Sequence, residues 1–468
     1  MLFRNRYDHS RGTSVLELEH EPLEQLRAAI ASEDPRAVDV CLESLGPVES
    51  SHAVVSLSEG DQTRLLAILS DEDAAEIVEA LPEAHAAQLL EQMSPGAAAA
   101  IVSELDSDDQ ADMMIRLSDA GAEAIFAEME PREANETRRL MQYPPETAGG
   151  LMVTEYLAYV ENLRCEDVVN DMRRNAERYR YFDVQYAYVV SKHGELRGVL
   201  RLRDLLLALD TTKIDEVMLA NAKSVNVDTS LEELERFFDH HEWLGVPVLD
   251  QDQKLVGIVR RVNVEEAAEE RSSRHFLKFM GIMGGEELRT MPLRLRSFRR
   301  LSWLSINIVL NILAASVIAM HQDTLSSVIA LAVFLPIISD MSGCSGNQAV
   351  AVSMRELSLG LIRPHEFWRV FSKEAAVGLI NGAVLGSLLG LVAFAWKGNI
   401  ALGGVVAIAL ALNTLLAAVI GGTVPMLLRG LGQDPALASG PILTTITDMC
   451  GFLLVLSLAS SCLPWLTA

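Results

Sequence analysis

Between Leu57 and Met129 an apolar residue returns every twelve positions: Leu57, Leu69, Leu81, Met93, Leu105, Leu117 and Met129. Two further registers of the same period run beside it. One is Leu65, Ile77, Leu89, Ile101, Met113 and Ile125; the other is Leu66, Val78, Leu90, Val102, Met114 and Phe126. Each unit opens on helix-start chemistry, at Ser58, Ser70, Pro82, Ser94-Pro95, Asp106-Ser107 and Ser118. The pattern predicts helices of about two turns, too short to be stable alone, so neighbours must stack into a superhelix. Asp71, Glu72, Asp73, Asp106, Asp108 and Asp109 read as helix-start residues and solvated faces. A sharper reading sets some of them against another domain across a bound cation.

The pattern changes at Tyr143-Pro144-Pro145, ahead of Gly149-Gly150-Leu151-Met152. A second repeat follows, in which residues 189–204 superpose on 248–263 with a shift of 59. Each copy reads as strand, Gly or acidic turn, strand, then helix. This looks like a tandem pair of cystathionine-β-synthase (CBS) domains, the common regulatory module that binds adenine nucleotides or acts as a ligand-sensing hinge. Many such pairs carry Thr or Ser a few residues before the aspartate that aligns with Asp204; here Arg201 and Leu202 stand there. The resemblance implies an ATP site using Asp204, Arg203 and Tyr186, or else a purely structural pair.

In the connector that follows, Glu265, Glu266, Glu269 and Glu270 cluster at helical spacing, before Arg271, Arg274 and Lys278 change the sign. Acids at i, i+3 and i, i+4 repel. A bound divalent cation would relieve that repulsion, and a solvated linker helix is the plainer reading. A break is expected near Met283-Gly284-Gly285.

From residue 301 hydropathy predicts five membrane spans, near 301–320, 325–348, 374–396, 400–428 and 440–464. Arg294, Arg296, Arg299 and Arg300 precede the first span. Arg355, Arg363, Arg369 and Lys373 lie between the second and third, Arg429 marks the next loop on that side, and Lys397 alone lies opposite. The positive-inside rule puts the N-terminal part in the cytoplasm. The last span carries Asp448, an acid at bilayer depth, which normally faces a wet path for an ion or proton. At helical spacing Pro441, Thr444, Thr445, Asp448 and Gly451 share its face, which reads as the wall of a cation path.

Charge sharpens this division. The 468 residues carry a net charge of −25, yet residues 301–468 hold six Lys/Arg and seven Asp/Glu, so almost all of it lies in front. That acidity argues against nucleic acid as a partner. Cys41, Cys165, Cys344, Cys450 and Cys462 show no metal-ligand spacing and read as reduced thiols. No apolar segment follows Met1, so no cleaved signal peptide is expected, and no Walker-type phosphate loop occurs. No nucleophile–base pair or catalytic metal cluster suggests an enzyme.

An acidic helical superhelix, a CBS pair, a connecting helix and five spans with an acid in the last together resemble the MgtE family of magnesium channels and transporters. The motifs that carry the resemblance are Pro425, Gly432-Gln433-Asp434-Pro435-Ala436, Ser439-Gly440-Pro441, Thr445, Asp448 and Gly451, with Thr147 to Met152 as a second match. It implies a homodimer in the inner or plasma membrane, with Mg2+ entry along the subunit interface. Asp448 would hold the hydrated ion, and cytoplasmic Mg2+ among the acidic domains would shut the pore. Mg2+ sheds water reluctantly and prefers oxygen, so small residues and outer-shell oxygens suit it. Thr444, Thr445, Gly451, Asp340, Gly343, Cys344, Gly346 and Asn347 are the expected lining. Cys344 stands where the family places Asn, so softer divalents (Co2+, Mn2+, Zn2+) are an alternative cargo. A membrane-anchored CBS regulator is the alternative of another class. The expected organisation is a tail at 1–14, a helical N domain at 15–142 and a CBS pair at 143–262. A connecting helix at 263–298 and a pore domain at 299–468 complete it.

Overall fold

The computed structural model describes residues 15–45, 47–180, 182, 185–279, 282, 293–433, 435 and 441–467. The predicted tail and the break at Met283 lie outside these residues. The chain divides into two compact units, one up to Glu270 and one from Arg271 onward.

The first unit opens with α1 (Val15–Ser32), α2 (Pro35–Ser44) and α3 (Pro47–Val55). Seven helices then start at intervals of twelve: α4 (Glu59–Ile68), α5 (Asp71–Ala80), α6 (Glu83–Gln92), α7 (Pro95–Ser103), α8 (Ser107–Arg116), α9 (Asp119–Glu128) and α10 (Pro131–Leu140). The hydroxyls of Ser58, Ser70, Ser94 and Ser118 accept from backbone N–H groups three residues on, which satisfies donors that the helix leaves free. At about 15 Å each, these helices have no hydrophobic face large enough for isolation. The three apolar registers instead meet in one continuous core from Leu26 to Ala134.

The CBS half is built twice. β3 (Tyr186–Val190) and β4 (Leu196–Arg201) reappear 59 residues later as β7 (Gly245–Leu249) and β8 (Leu255–Arg260). With β1 (Met152–Val153), β2 (Leu157–Val160), β5 (Leu219–Ala220) and β6 (Val225–Asn226), they form two four-stranded sheets, ordered β2-β3-β4-β5 and β1-β8-β7-β6. In each, a parallel pair adjoins an antiparallel hairpin. Helices α11 (Cys165–Arg174), α12 (Leu202–Leu207), α13 (Ile214–Val217) and α14 (Leu231–His240) pack on these sheets. The connector begins as α15 (Arg261–Phe279), two residues earlier than expected.

The second unit holds α16 (Leu293–Met320), α17 (Gln322–Ser327), α18 (Leu331–Ser358), α19 (Phe367–Lys397), α20 (Ile400–Gly430), α21 (Pro441–Ser461) and α22 (Leu463–Leu466). Among the described residues four helices are long and apolar enough to cross a membrane: α16, α19, α20 and α21. Five spans were expected. The remaining long helix, α18, has 28 residues but spends several of them on Ser339, Asp340, Ser342, Ser345 and Asn347. Helices α19 and α20 approach through Gly378, Gly382, Gly386 and Gly390, a small residue every fourth position, which lets lipid-phase helices pack closely. A Cβ on Gly382 would stand 2.5 Å from the Ala411 carbonyl oxygen. Gly382→Val should therefore force the pair apart and cost about 1–3 kcal/mol, the usual range for overpacking. A lowered melting temperature in detergent would show it; an unchanged one would mean that α19 and α20 do not meet this closely.

Candidate functional site

The acid in the last span faces a cavity of about 590 Å³. Its polar wall comes from two helices. Ser339, Asp340, Gly343, Cys344 and Asn347 come from α18, and Thr444 and Asp448 from α21; Pro336, Phe452, Leu335 and residues of α16 and α17 complete the lining. On α18 the i, i+4 rows Ser339–Gly343–Asn347 and Pro336–Asp340–Cys344 lie side by side, so one helix face alternates small residues with oxygen and sulfur donors. On α21 the corresponding row is Thr444–Asp448–Phe452. The Ser339 hydroxyl donates to Asp448 Oδ1, joining the two helices at the acid. Asp340 and Cys344 are exposed on the wall, and Asp448 is half-buried. Such a wall suits a cation that keeps its water shell, because few of its ligands converge on one point.

The expected single polar face of α21 is divided in the structure. Thr445 is buried, and Gly451 meets the Asn413 side chain of α20 rather than the cavity. Successive helical residues are about 100° apart, so Thr444 and Thr445 cannot both face one narrow cavity. Gly346 is likewise turned away: a Cβ there would touch Leu443 and the Ala417 carbonyl oxygen. Ser339, which bonds the acid, was not among the expected residues. Its signal was its place one helical turn before Gly343 and two before Asn347.

A second concentration of acid lies where the helical repeat meets the second CBS sheet, inside the first unit. Asp106, Asp108 and Asp109 each bring a carboxylate oxygen within 4.8 Å of the others. Asp106 sits at a helix start but makes no capping bond. Its carboxylate instead pairs with the Arg260 guanidinium at 2.7 Å, with both side chains largely buried. Arg260 also donates through Nε to Asn263 Oδ1 at 3.0 Å, and the Asn263 amide donates to Asp108. Asp108 Oδ1 is buried without a hydrogen-bond partner. Burial pushes Asp108 up to about 7. Burial and then the Asp108 carboxylate push Asp109 up to about 8. Beside them the Thr154 N–H donates to Ser107 Oγ at 2.8 Å, and that hydroxyl donates to Glu155 at 2.8 Å. All the donors here are hard oxygens and one is orphaned, so the cluster fits a hard cation such as Mg2+. One tethered cation, Arg260, already occupies part of it.

The four connector acids are arranged differently. Glu265, Glu266, Glu269 and Glu270 are all exposed on α15. Glu265 pairs with Arg261 at 3.6 Å, and Glu270 lies 3.8 Å from Arg116 of the helical repeat. They form no close carboxylate group among the described residues.

Between the two CBS halves lies a cavity of about 420 Å³, lined among others by Tyr186, Arg201, Lys223, Glu242 and Trp243. Of the three residues expected to hold a nucleotide, Tyr186 is there. Asp204 is drawn to Arg201 at 2.5 Å, and Arg203 is exposed, so neither lines the cavity. Arg201 and Asp204 repeat the pairing of Arg260 and Asn263, residue for residue, 59 positions earlier.

Three family models match the chain: a divalent cation transporter model, MgtE, over residues 335–458, the MgtE intracellular N domain over 45–146, and the CBS domain over 214–270. The magnesium transporter MgtE of Thermus thermophilus is 34% identical over 334 residues, which cover 71% of this chain and 73% of that protein. The magnesium transporter MgtE of Enterococcus faecalis is 32% identical over 328 residues, 70% of this chain and 72% of that one. The solved cytosolic domain of the Mg2+ channel MgtE in complex with ATP is similar over 52% of this chain and 99% of its own, at 31% identity and a TM-score of 0.49.

Proposed function

The chain belongs to the MgtE family of magnesium transporters, and from that premise we propose that it admits Mg2+ across the cytoplasmic membrane along the cavity at Asp448, under control of cytoplasmic Mg2+. The observation that carries this reading is the pairing of Ser339 with Asp448 on a wall of hydroxyl, amide and carboxylate oxygens. Helix α18 is the fifth span in this reading. Its 28 residues reach about 42 Å, more than the hydrocarbon thickness, and three of its polar residues, Ser339, Asp340 and Asn347, meet the cavity. One Asp448 per chain is little for a divalent ion, and a two-fold axis through a homodimer would bring two together. The arginine-rich loops keep the N-terminal domains in the cytoplasm. The membrane potential favours inward Mg2+ by about 4.6 kcal/mol per 100 mV, so no hydrolysis is needed.

For control, Asp106, Asp108 and Asp109 are the strongest candidates to hold regulatory Mg2+, with Glu265, Glu266, Glu269 and Glu270 as a second, exposed group. The cleft with Tyr186, Arg201, Lys223 and Trp243 offers rings for a base and cations for phosphates, which suits an adenine nucleotide such as ATP. A second reading of the cargo rests on Cys344, whose exposed thiol on the cavity wall would favour softer divalents.

The test is ion entry into liposomes holding the purified full chain, with an interior-negative potential and a trapped indicator. Mg2+ should enter, and Co2+ should slow it by competition. Folded, dimeric protein that admits Zn2+ or Co2+ but no Mg2+ would replace the cargo; admission of no cation would end the reading.

A further inference from the structure

Asn413 lies on α20, fully buried, on the side of α21 away from the cavity. Its Nδ2 donates to the Thr447 carbonyl oxygen at 3.0 Å. Thr447 is the residue before Asp448, and its own hydroxyl donates to the Thr444 carbonyl oxygen at 2.9 Å. The Asn413 amide reaches that carbonyl because residue 451, one turn on, is glycine: a Cβ there would stand 2.6 Å from Nδ2. In a regular helix the 447 carbonyl accepts from the 451 N–H, so the amide adds a second donor where a side chain would normally shield the backbone.

Stability alone does not call for this arrangement. The other half of the amide, Asn413 Oδ1, is buried without a hydrogen-bond partner. An orphaned buried acceptor is destabilising, and an apolar residue of the same size avoids that cost. What the amide does accomplish is to fix the turn Thr444–Asp448. Ser339 holds the Asp448 carboxylate from α18, and Asn413 holds the backbone of the same turn from α20.

We propose that Asn413 is a positioning residue for Asp448 and that Gly451 is the opening through which it acts. The inference rests on the reading that Asp448 meets the transported ion. Asn413 itself does not touch the ion.

The test measures Mg2+ entry into liposomes against Mg2+ concentration for wild type, Asn413→Leu, Gly451→Ala, Asn413→Ala and the double variant Asn413→Ala/Gly451→Ala, each checked for folding and dimer content. Asn413→Leu keeps the volume and loses the donor; Gly451→Ala keeps Asn413 and blocks its approach. Both should raise the half-saturating Mg2+ concentration about three- to tenfold, with a smaller change in maximal rate, and both should shift the ratio of Co2+ to Mg2+ entry. In the Asn413→Ala background the Gly451→Ala change should add nothing, because residues acting through one contact are not additive. A purely structural role would lower melting temperature and yield while leaving half-saturation and ion preference unmoved. Wild-type half-saturation in folded Gly451→Ala, or additive effects in the double variant, would overturn the inference even if Asn413→Leu fails to fold. Wild-type protein that carries no Mg2+ would remove the underlying reading, whereas a wild type that carries Mg2+ beside unaltered variants removes this inference alone.

Discussion

Asp448→Asn should abolish Mg2+ entry, cutting the initial rate in liposomes by well over tenfold while leaving folding and oligomeric state intact. The side chain keeps its size, and an asparagine can still accept from Ser339, so packing between α18 and α21 survives. What disappears is the charge. For a divalent ion about 5 Å from a carboxylate at an effective dielectric of about 20, Coulomb's law gives about 7 kcal/mol before desolvation is set against it. If only a fifth of that remains as net stabilisation, the loss is already about tenfold, since 1.4 kcal/mol is a factor of ten. In a two-fold pore the loss is counted twice. A variant that keeps more than half the wild-type rate would mean that the path runs elsewhere, with exposed Asp340 the next acid to examine.

The sequence and the structure agree best where one period decides the fold. Helix starts at 59, 71, 83, 95, 107, 119 and 131 follow directly from the spacing of Leu57 and its successors. The 59-residue shift of the CBS repeat lands both hairpins without error, down to the Arg201 and Arg260 pairs. Period alone says which residues share a helix face. It does not say which face meets the cavity when a helix is covered on several sides, as α21 is by α16, α18 and α20. That is why Gly451 reads as pore lining in the sequence and instead lies against the side chain of Asn413, a residue with no local signal in α20. The connector glutamates are conspicuous in the sequence because they are neighbours along the chain. Asp106, Asp108 and Asp109 read as ordinary helix-start acids, and only the tertiary structure shows that Asp106 gives up its capping role for Arg260. Helix α18 is less apolar than the four helices long and apolar enough to cross a membrane partly because Ser339, Asp340 and Asn347 are spent on the cavity wall.

That same cluster should make the contact between the helical repeat and the second CBS sheet depend on pH and on Mg2+. Burial raises Asp108 to about 7 and Asp109 to about 8, above their ordinary 3.8. A carboxyl whose folded value is raised favours the protonated, docked form. Its contribution is complete below about pH 4 and is lost as pH rises through about 7 and then 8. Without divalent cation, the contact should therefore loosen progressively from about pH 4 and reach its limit near pH 8. The Thr154 amide reports this directly, because its N–H donates across the contact to Ser107 Oγ. Its hydrogen exchange in the full chain, corrected for the intrinsic effect of pH, should quicken severalfold over that range, and Mg2+ at pH 9 should slow it again by taking the place of the lost protons. Arg260 supplies one fixed positive charge to the same carboxylates. Arg260→Ala should thus exchange faster than wild type without Mg2+ and gain more protection when Mg2+ is added. Exchange at Thr154 that ignores pH, Mg2+ and the Arg260 substitution alike would show that these carboxylates neither sense the ion nor hold the domains together, and would leave control of the pore to the exposed glutamates of α15.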